Sequence, residues 1–168
     1  MQPIQSSGFS YLFSVEKLPQ NGTKQVLELT VDECLQLAQY LNLAEIKSFK
    51  ADFNIHGTSD KVTVSGVVDA VVVQTCVVSL ELFEAYVHEQ IEAEFVAEKK
   101  SSKRSEEQDL LDHDDLIING KINLGSLATE FFVLGLDPFP KKPGAEFHYI
   151  EDDSQPSPFD RLRDLEEK

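Results

Sequence analysis

Tryptophan is absent from this 168-residue chain, cysteine occurs twice, and the 15 lysines and arginines face 30 aspartates and glutamates. Each shortage excludes something. A formal charge of −15 argues against a protein that coats nucleic acid or an anionic membrane over its whole surface, although a local basic patch stays compatible with it. Without tryptophan, and with phenylalanine mostly at core parity, an aromatic platform for single strands is not expected. Cys34 and Cys76 make neither a disulfide framework nor a metal knuckle. There is no apolar run of about 18 residues, so no membrane-spanning helix is predicted. Met1 to Ser10 has no basic n-region and no apolar h-region, so no secretory signal is expected and a cytoplasmic location is. Internal repeats and glycine-rich phosphate loops are also missing, since neither Gly120 nor Gly125 has the required followers.

What is present suffices for a core: 41% hydrophobic and 27% charged residues. The first segments, Phe9 to Val15 and Gln25 to Leu29, read as short strands around the turn cluster Pro19-Gln20-Asn21-Gly22. Thr30-Val31-Asp32-Glu33 fits a capping box, with Leu29 and Cys34 placed as a hydrophobic staple. Behind it Cys34, Leu37, Ala38 and Leu41 share one helical face, and the helix should stop around Asn42 to Ala44. Phe49, Ala51, Phe53 and Ile55 then alternate with Lys50, Asp52 and Asn54, the signature of a half-buried antiparallel strand. Beyond the hairpin loop Gly57 to Asp60, Val62 and Val64 alternate again, Gly66 suggests a bulge, and Val67 to Val78 are apolar on both faces. That pattern predicts a central strand covered on both sides. From Glu84 to Val96 the parity is clean, with Glu84, Glu92 and Glu94 on one acidic outer face that could meet a basic partner.

Residues 99–115 read as a mobile loop of opposed charge blocks, Lys99, Lys100, Lys103 and Arg104 followed by an acidic run. Asn119-Gly120 marks a tight turn, and a second helix follows with Asn123 as cap, Leu124, Leu127, Ala128, Phe131 and Leu134 as its apolar face, and Gly135 with Pro138 as its stop. Asp137 to Gly144 is extended and stiffened by proline, and 151–168 form a polar tail in which Phe159, Leu162 and Leu165 could give a short helix. The sum is an α+β fold over residues 1–150: a mainly antiparallel sheet, which could curl into a barrel-like form, with two amphipathic helices packed on it.

Chemistry is thinly signalled. His56, His88, His113 and His148 stand singly in different elements, so no zinc or triad site is expected. Cys76, beside Val77 and Val78, reads as an inert core thiol. Asp112, His113, Asp114 and Asp115 lack the spacing of a calcium loop and read as solvated charge. No cofactor and no catalytic group are predicted. Lys141 and Lys142, with the Lys99 to Arg104 block, are the candidate contacts to RNA phosphate.

Two stretches carry more. Gln74-Thr75-Cys76-Val77-Val78-Ser79-Leu80-Glu81 and Leu136-Asp137-Pro138-Phe139-Pro140-Lys141-Lys142-Pro143-Gly144-Ala145 together resemble the YceD family, the large ribosomal RNA subunit accumulation proteins. The capped helix, the joint from Leu43 to Ser48, and Ile122 to Gly125 with Glu130 occur in the matching order, so the resemblance spans about residues 9 to 147. Many family members carry Cys-x-x-Cys at the first stretch, whereas here the second position is Ser79, so a metal or redox pair fails for this chain. The family's cysteine-rich C-terminal variant is replaced by Pro-Lys-Lys-Pro, and Asn123 stands where aspartate is usual. The resemblance implies a non-enzymatic part in supporting 23S rRNA and assembling the large subunit, often encoded beside a small ribosomal protein. Through what contact is left open: a ribosomal protein, or precursor rRNA bound directly and without sequence preference by the basic segments. An RNA-processing enzyme is the least supported reading, because clustered carboxylates or an acid–base pair are not discernible.

Overall fold

Alternating side chains along three long segments set the centre of the fold: β3 (Glu45–Gly57), β4 (Lys61–Thr75) and β5 (Leu82–Ala97) pair in antiparallel succession. The computed structural model describes residues 9–97 and 116–147, and the charge blocks of 99–115, His148 and the tail 151–168 lie outside them. A short β2 (Thr23–Glu28) joins the free side of β3, and β6 (Leu116–Ile117) pairs in parallel with the end of β5. The resulting order β2-β3-β4-β5-β6 is open, with β2 and β6 unpaired to each other, so the sheet is not a closed barrel. Separately, β1 (Leu12–Ser14) pairs with β7 (Lys121–Asn123), and the hairpin between β6 and β7 turns on Asn119 and Gly120, both at positive φ (52° and 69°). Two successive left-handed residues are what a tight hairpin turn needs, and Asn-Gly is the pair that adopts it most readily.

One sheet face carries the core. Phe49, Ala51, Phe53 and Ile55 of β3, Val62, Val64, Val68 and Val72 of β4, and Val87, Ile91 and Phe95 of β5 are buried together on one parity. Two helices cover them. Helix α1 (Val31–Tyr40) opens with the capping box in place: the Glu33 amide donates to the Thr30 hydroxyl, and the Thr30 amide donates to the Glu33 carboxylate at 2.8 Å. Its Cys34, Leu37 and Ala38 are buried, and Asn42, at positive φ, follows its C-terminal cap Leu41.

Helix α2 (Leu124–Leu134) differs from the expected face. Leu124, Leu127 and Ala128 are buried, but Phe132 rather than Phe131 is the fully buried aromatic, and Leu134 is exposed. The Phe132 ring meets Phe49 edge-on, with centroids 5.3 Å apart and planes at 75°, the geometry that ring quadrupoles favour. The rotation follows from Gly125, where an added Cβ would lie 2.6 Å from both the Phe9 carbonyl oxygen and the Tyr11 nitrogen. With the first turn seated that closely on the segment before β1, Phe132 swings onto the sheet. Asn123 fastens the same turn: its side-chain oxygen accepts from the Ser126 amide at 3.2 Å and from the Tyr11 amide at 2.9 Å. Asn123→Ala orphans both donors and should lower unfolding stability by about 1–2 kcal/mol, readable as a shifted urea midpoint at unchanged slope.

Three further expectations need correction. Gly66 keeps register with Phe53 and Ile91, and the irregularity falls instead between Ile46 and Ser48. Glycine is needed at 66 because any Cβ would stand 2.0 Å from the Asp52 carbonyl oxygen. Strand β4 is central but covered on one face along most of its length: Val67 and Val71 are half-buried and Asp69 is exposed, only Val73 on that parity is buried, and the strand ends at Thr75. Valine at those open-face positions reflects the fit of branched side chains to a pleated surface rather than full burial.

Candidate functional site

At the end of β4 the chain turns sharply through Cys76 to Glu81. The Cys76 amide donates to the Glu81 carbonyl at 2.9 Å, the Leu80 amide to the Cys76 carbonyl at 2.9 Å, and Leu80 itself is held at a φ of 59°. A leucine in the left-handed region costs free energy, so surrounding contacts must over-determine the turn. Those contacts come from the segment beyond α2. Asp137 accepts the Phe139 amide on its side chain at 2.8 Å, which bends the chain ahead of Pro140. The Pro140 carbonyl accepts the Val77 amide at 2.9 Å, and Gln74, almost fully buried, donates its side-chain amide to the Asp137 carbonyl at 3.4 Å. Pro143 and Gly144 (φ 79°) close a tight turn in which the Ala145 amide donates to the Lys142 carbonyl at 3.0 Å.

The two segments thus form a clasp, and Cys76 sits at its centre. Its sulfur, fully buried, accepts the Ser79 amide at 3.4 Å from one segment and the Lys142 amide at 3.3 Å from the other. The Ser79 side chain first, then the Ser79 amide, with smaller help from the Lys142 and Val78 amides, pull the thiol from 9.0 down to about 7 against the opposing effect of burial. Cys76 is buried as expected, but it lies in a turn lined with N–H donors beyond the end of β4 and not inside a valine strand. Cys34 is the opposite case, where burial and the Glu33 carboxylate push the thiol up. Across the outside of the clasp, the Lys142 ammonium meets the Glu81 carboxylate at 2.8 Å, which raises the lysine and lowers the glutamate.

Of the candidate residues, Gln74, Cys76, Asp137, Pro140, Lys142, Pro143 and Gly144 converge in this clasp, with Thr75 and Pro138 alongside in sequence. Lys142 is committed to it through both its amide and its ammonium, while Lys141 is exposed. Lys99, Lys100, Lys103 and Arg104 lie outside the described residues. Glu130 is elsewhere, on α2, beside a groove also lined by Tyr40, Leu41, Val133 and Leu134. Sequence reasoning passed over Glu81, because its lysine lies 61 residues away and an opposite-charge pair at that separation leaves no local signal. Ser79 was legible only as a lost cysteine; the spacing of three that puts its amide on a preceding sulfur was the available clue.

The acidic face also changes character. Glu84, Glu92 and Glu94 do share the open face of the sheet, but Lys47 pairs with Glu84 and Lys61 with Glu94. On the same face Lys50 meets Asp52 at 2.9 Å and His88 meets Asp69 at 2.6 Å, which raises the imidazole. Lysines on β3 and β4 follow the same alternation as the glutamates on β5, so strand pairing sets opposite charges side by side. Among the described residues only Glu92 of the three glutamates makes no ion pair.

Around the clasp, apolar side chains face outward: Val77, Leu80 (77% exposed) and Phe139 (71% exposed). Among the described residues no three His, Cys, Asp or Glu side chains gather as a metal set, and no helix is long and apolar enough to cross a membrane. No curated protein and no solved structure matches the chain significantly. One family model does, described as large ribosomal RNA subunit accumulation protein YceD, over residues 64–166. That stretch starts within β4, takes in both arms of the clasp and runs on through the C-terminal segment, whereas the resemblance read from motifs covered 9 to 147. Matching well over half of the sequence, and matching where the two motif segments lock around Cys76, it establishes that this chain belongs to the YceD family.

Proposed function

We propose that the protein is a cytoplasmic, non-enzymatic factor in biogenesis of the large ribosomal subunit, supporting accumulation of 23S rRNA by binding a ribosomal protein. The observation that carries this reading is the clasp. Its two motif segments are hydrogen-bonded within themselves and to each other, its thiol is buried, and three apolar side chains, Val77, Leu80 and Phe139, are among the groups it turns outward. Exposed apolar groups on a rigid turn suit contact with another protein surface. A charge of −15 supports a basic partner, since bulk electrostatics repel RNA and attract cationic proteins.

Binding of precursor rRNA by the basic segments is the second reading, favoured by the exposure of Lys141 and weakened by the commitment of Lys142 to Glu81. Affinity capture and a gel-shift series separate the two. A protein partner predicts recovery of a basic ribosomal protein, lost when Leu80 and Phe139 are replaced by serine, and no RNA shift. RNA binding whose affinity falls steeply with salt, and falls further in Lys141→Ala, would instead establish the second reading.

A further inference from the structure

Strand β5 has one satisfied side and one open side. The Cys76 amide donates to the Glu81 carbonyl just before the first β4–β5 pair, Thr75 with Leu82. The Ala97 amide donates to the Asp60 carbonyl at 2.8 Å just beyond the last pair, Lys61 with Val96. Between them the register is unbroken. In an antiparallel ladder, opposed pairs alternate between hydrogen-bonded and not. The odd-numbered residues of β5 therefore face β4, and the even-numbered ones, Glu84 to Glu94, turn their N–H and C=O groups to the other side. At Val96 and Ala97 that side is taken by β6. From Leu82 to Phe95, among the described residues, no strand takes it.

Natural edge strands of this length are blunted by charged side chains, lysine above all, by an inward-pointing charge, or by proline, a bulge or simple shortness. This one has no lysine, arginine, proline or bulge; its charges are all glutamates, Glu84, Glu92 and Glu94 on the open face and Glu89 on the core-side face. Such charges disfavour an anionic added strand and leave a cationic one the favoured partner. Lys47 and Lys61 answer Glu84 and Glu94, but among the described residues no ion pair reaches Glu89 or Glu92. A second copy of the chain would bring glutamates against glutamates at a charge of −15 each, and RNA would meet the same repulsion. The complementary occupant is an extended cationic polypeptide.

We propose that the open edge of β5 from Leu82 to Phe95 receives an extended, lysine- or arginine-rich segment of a protein partner as an added strand. The added strand takes its affinity from main-chain hydrogen bonds at Glu84, Tyr86, His88, Gln90 and Glu92, and its selectivity from the carboxylates. This rests on the reading that the partner is a basic protein and specifies how such a protein is held.

The test uses the full chain and a short fluorescent peptide alternating lysine with valine, with a glutamate–valine peptide as control. Anisotropy reads affinity, and amide exchange by NMR reads the edge. The lysine peptide should bind and the control should not. The Tyr86, His88, Gln90 and Glu92 amides should exchange freely in the free chain and be slowed by about tenfold or more in the complex. Gln90→Pro removes an outward donor and no β4 ladder bond, and should weaken the peptide by about tenfold. Glu92→Lys, which leaves the backbone intact, should also weaken it and stands in if the proline variant fails to fold. Edge amides already protected in the free chain would show that the chain covers its own edge and would overturn the proposal. So would no binding, equal binding of both peptides, or binding without edge protection. The last outcome removes strand addition yet leaves a basic partner standing, whereas the role in 23S rRNA accumulation is tested separately by depletion in cells.

Discussion

Phe132→Ala is expected to destabilise the fold by about 3–5 kcal/mol, enough to unfold a large share of the molecules in a marginally stable domain. The ring is fully buried and stacks edge-on against Phe49, which is also buried, at the point where α2 meets the sheet. Truncation removes that contact and opens a cavity that cannot collapse, because Gly125 already seats the first turn of α2 against Phe9 and Tyr11. Leu134→Ala, at 71% exposure, should change stability by no more than about 0.5 kcal/mol. The pair of values, from chemical denaturation at constant slope, reads out which face of α2 is buried. A large loss at Leu134 with little at Phe132 would reverse the packing.

Cys76→Ala should have the second-largest effect, and on the clasp rather than on the whole domain. It removes the one acceptor shared by the Ser79 and Lys142 amides and leaves both part-buried donors without that partner. Amide exchange at Lys142 and at Val77 should speed up on the order of tenfold, while β3 and β5 amides hold. The effect carries a pH signature. The folded thiol lies near 7 against an ordinary value of 9.0. A depressed acid stabilises the fold above its unfolded value, and that contribution is lost as pH falls through the folded one. The stability gap between the wild type and Cys76→Ser should therefore be widest above pH 9, shrink between about 9 and 7, and be gone below that range. Ultraviolet thiolate absorbance should show one group titrating near 7, absent in Cys76→Ser, with Cys34 still protonated there.

Local signals carried well into the structure. The capping box at Thr30 and Glu33, the parity of β3 and β5, and the Asn119-Gly120 turn each depend on neighbours a few positions away, and each is found where the pattern puts it. Failures occur where distant contact decides. In α2 nearly every side of the helix offers an apolar residue, so periodicity alone cannot choose Phe132 over Phe131; the close approach at Gly125 does. The valines of β4 suit a pleated strand whether or not a second layer covers them. The motif segments around Cys76 and Lys142 were legible as motifs, but that they hold each other, with one sulfur bonded from both sides, depends on a fold that returns α2 beneath β4.

The same limit applies to charge. Composition predicts an acidic molecule, and parity predicts glutamates on one face, but Lys47 and Lys61 arrive beside Glu84 and Glu94 only through strand pairing. What remains distinctly anionic is the outer strand β5, at the side where its backbone is open.

The central claim is that the protein supports large-subunit rRNA by holding a partner. It is tested most directly by depleting the protein in its own cells, restoring either the wild type or the Cys76→Ala chain, and resolving ribosomal particles on a sucrose gradient with 23S and small-subunit rRNA quantified. Depletion should lower 23S rRNA and free large subunits relative to small ones, the wild type should restore both, and Cys76→Ala should restore them incompletely. Unchanged 23S rRNA and an unchanged gradient on depletion would contradict the claim.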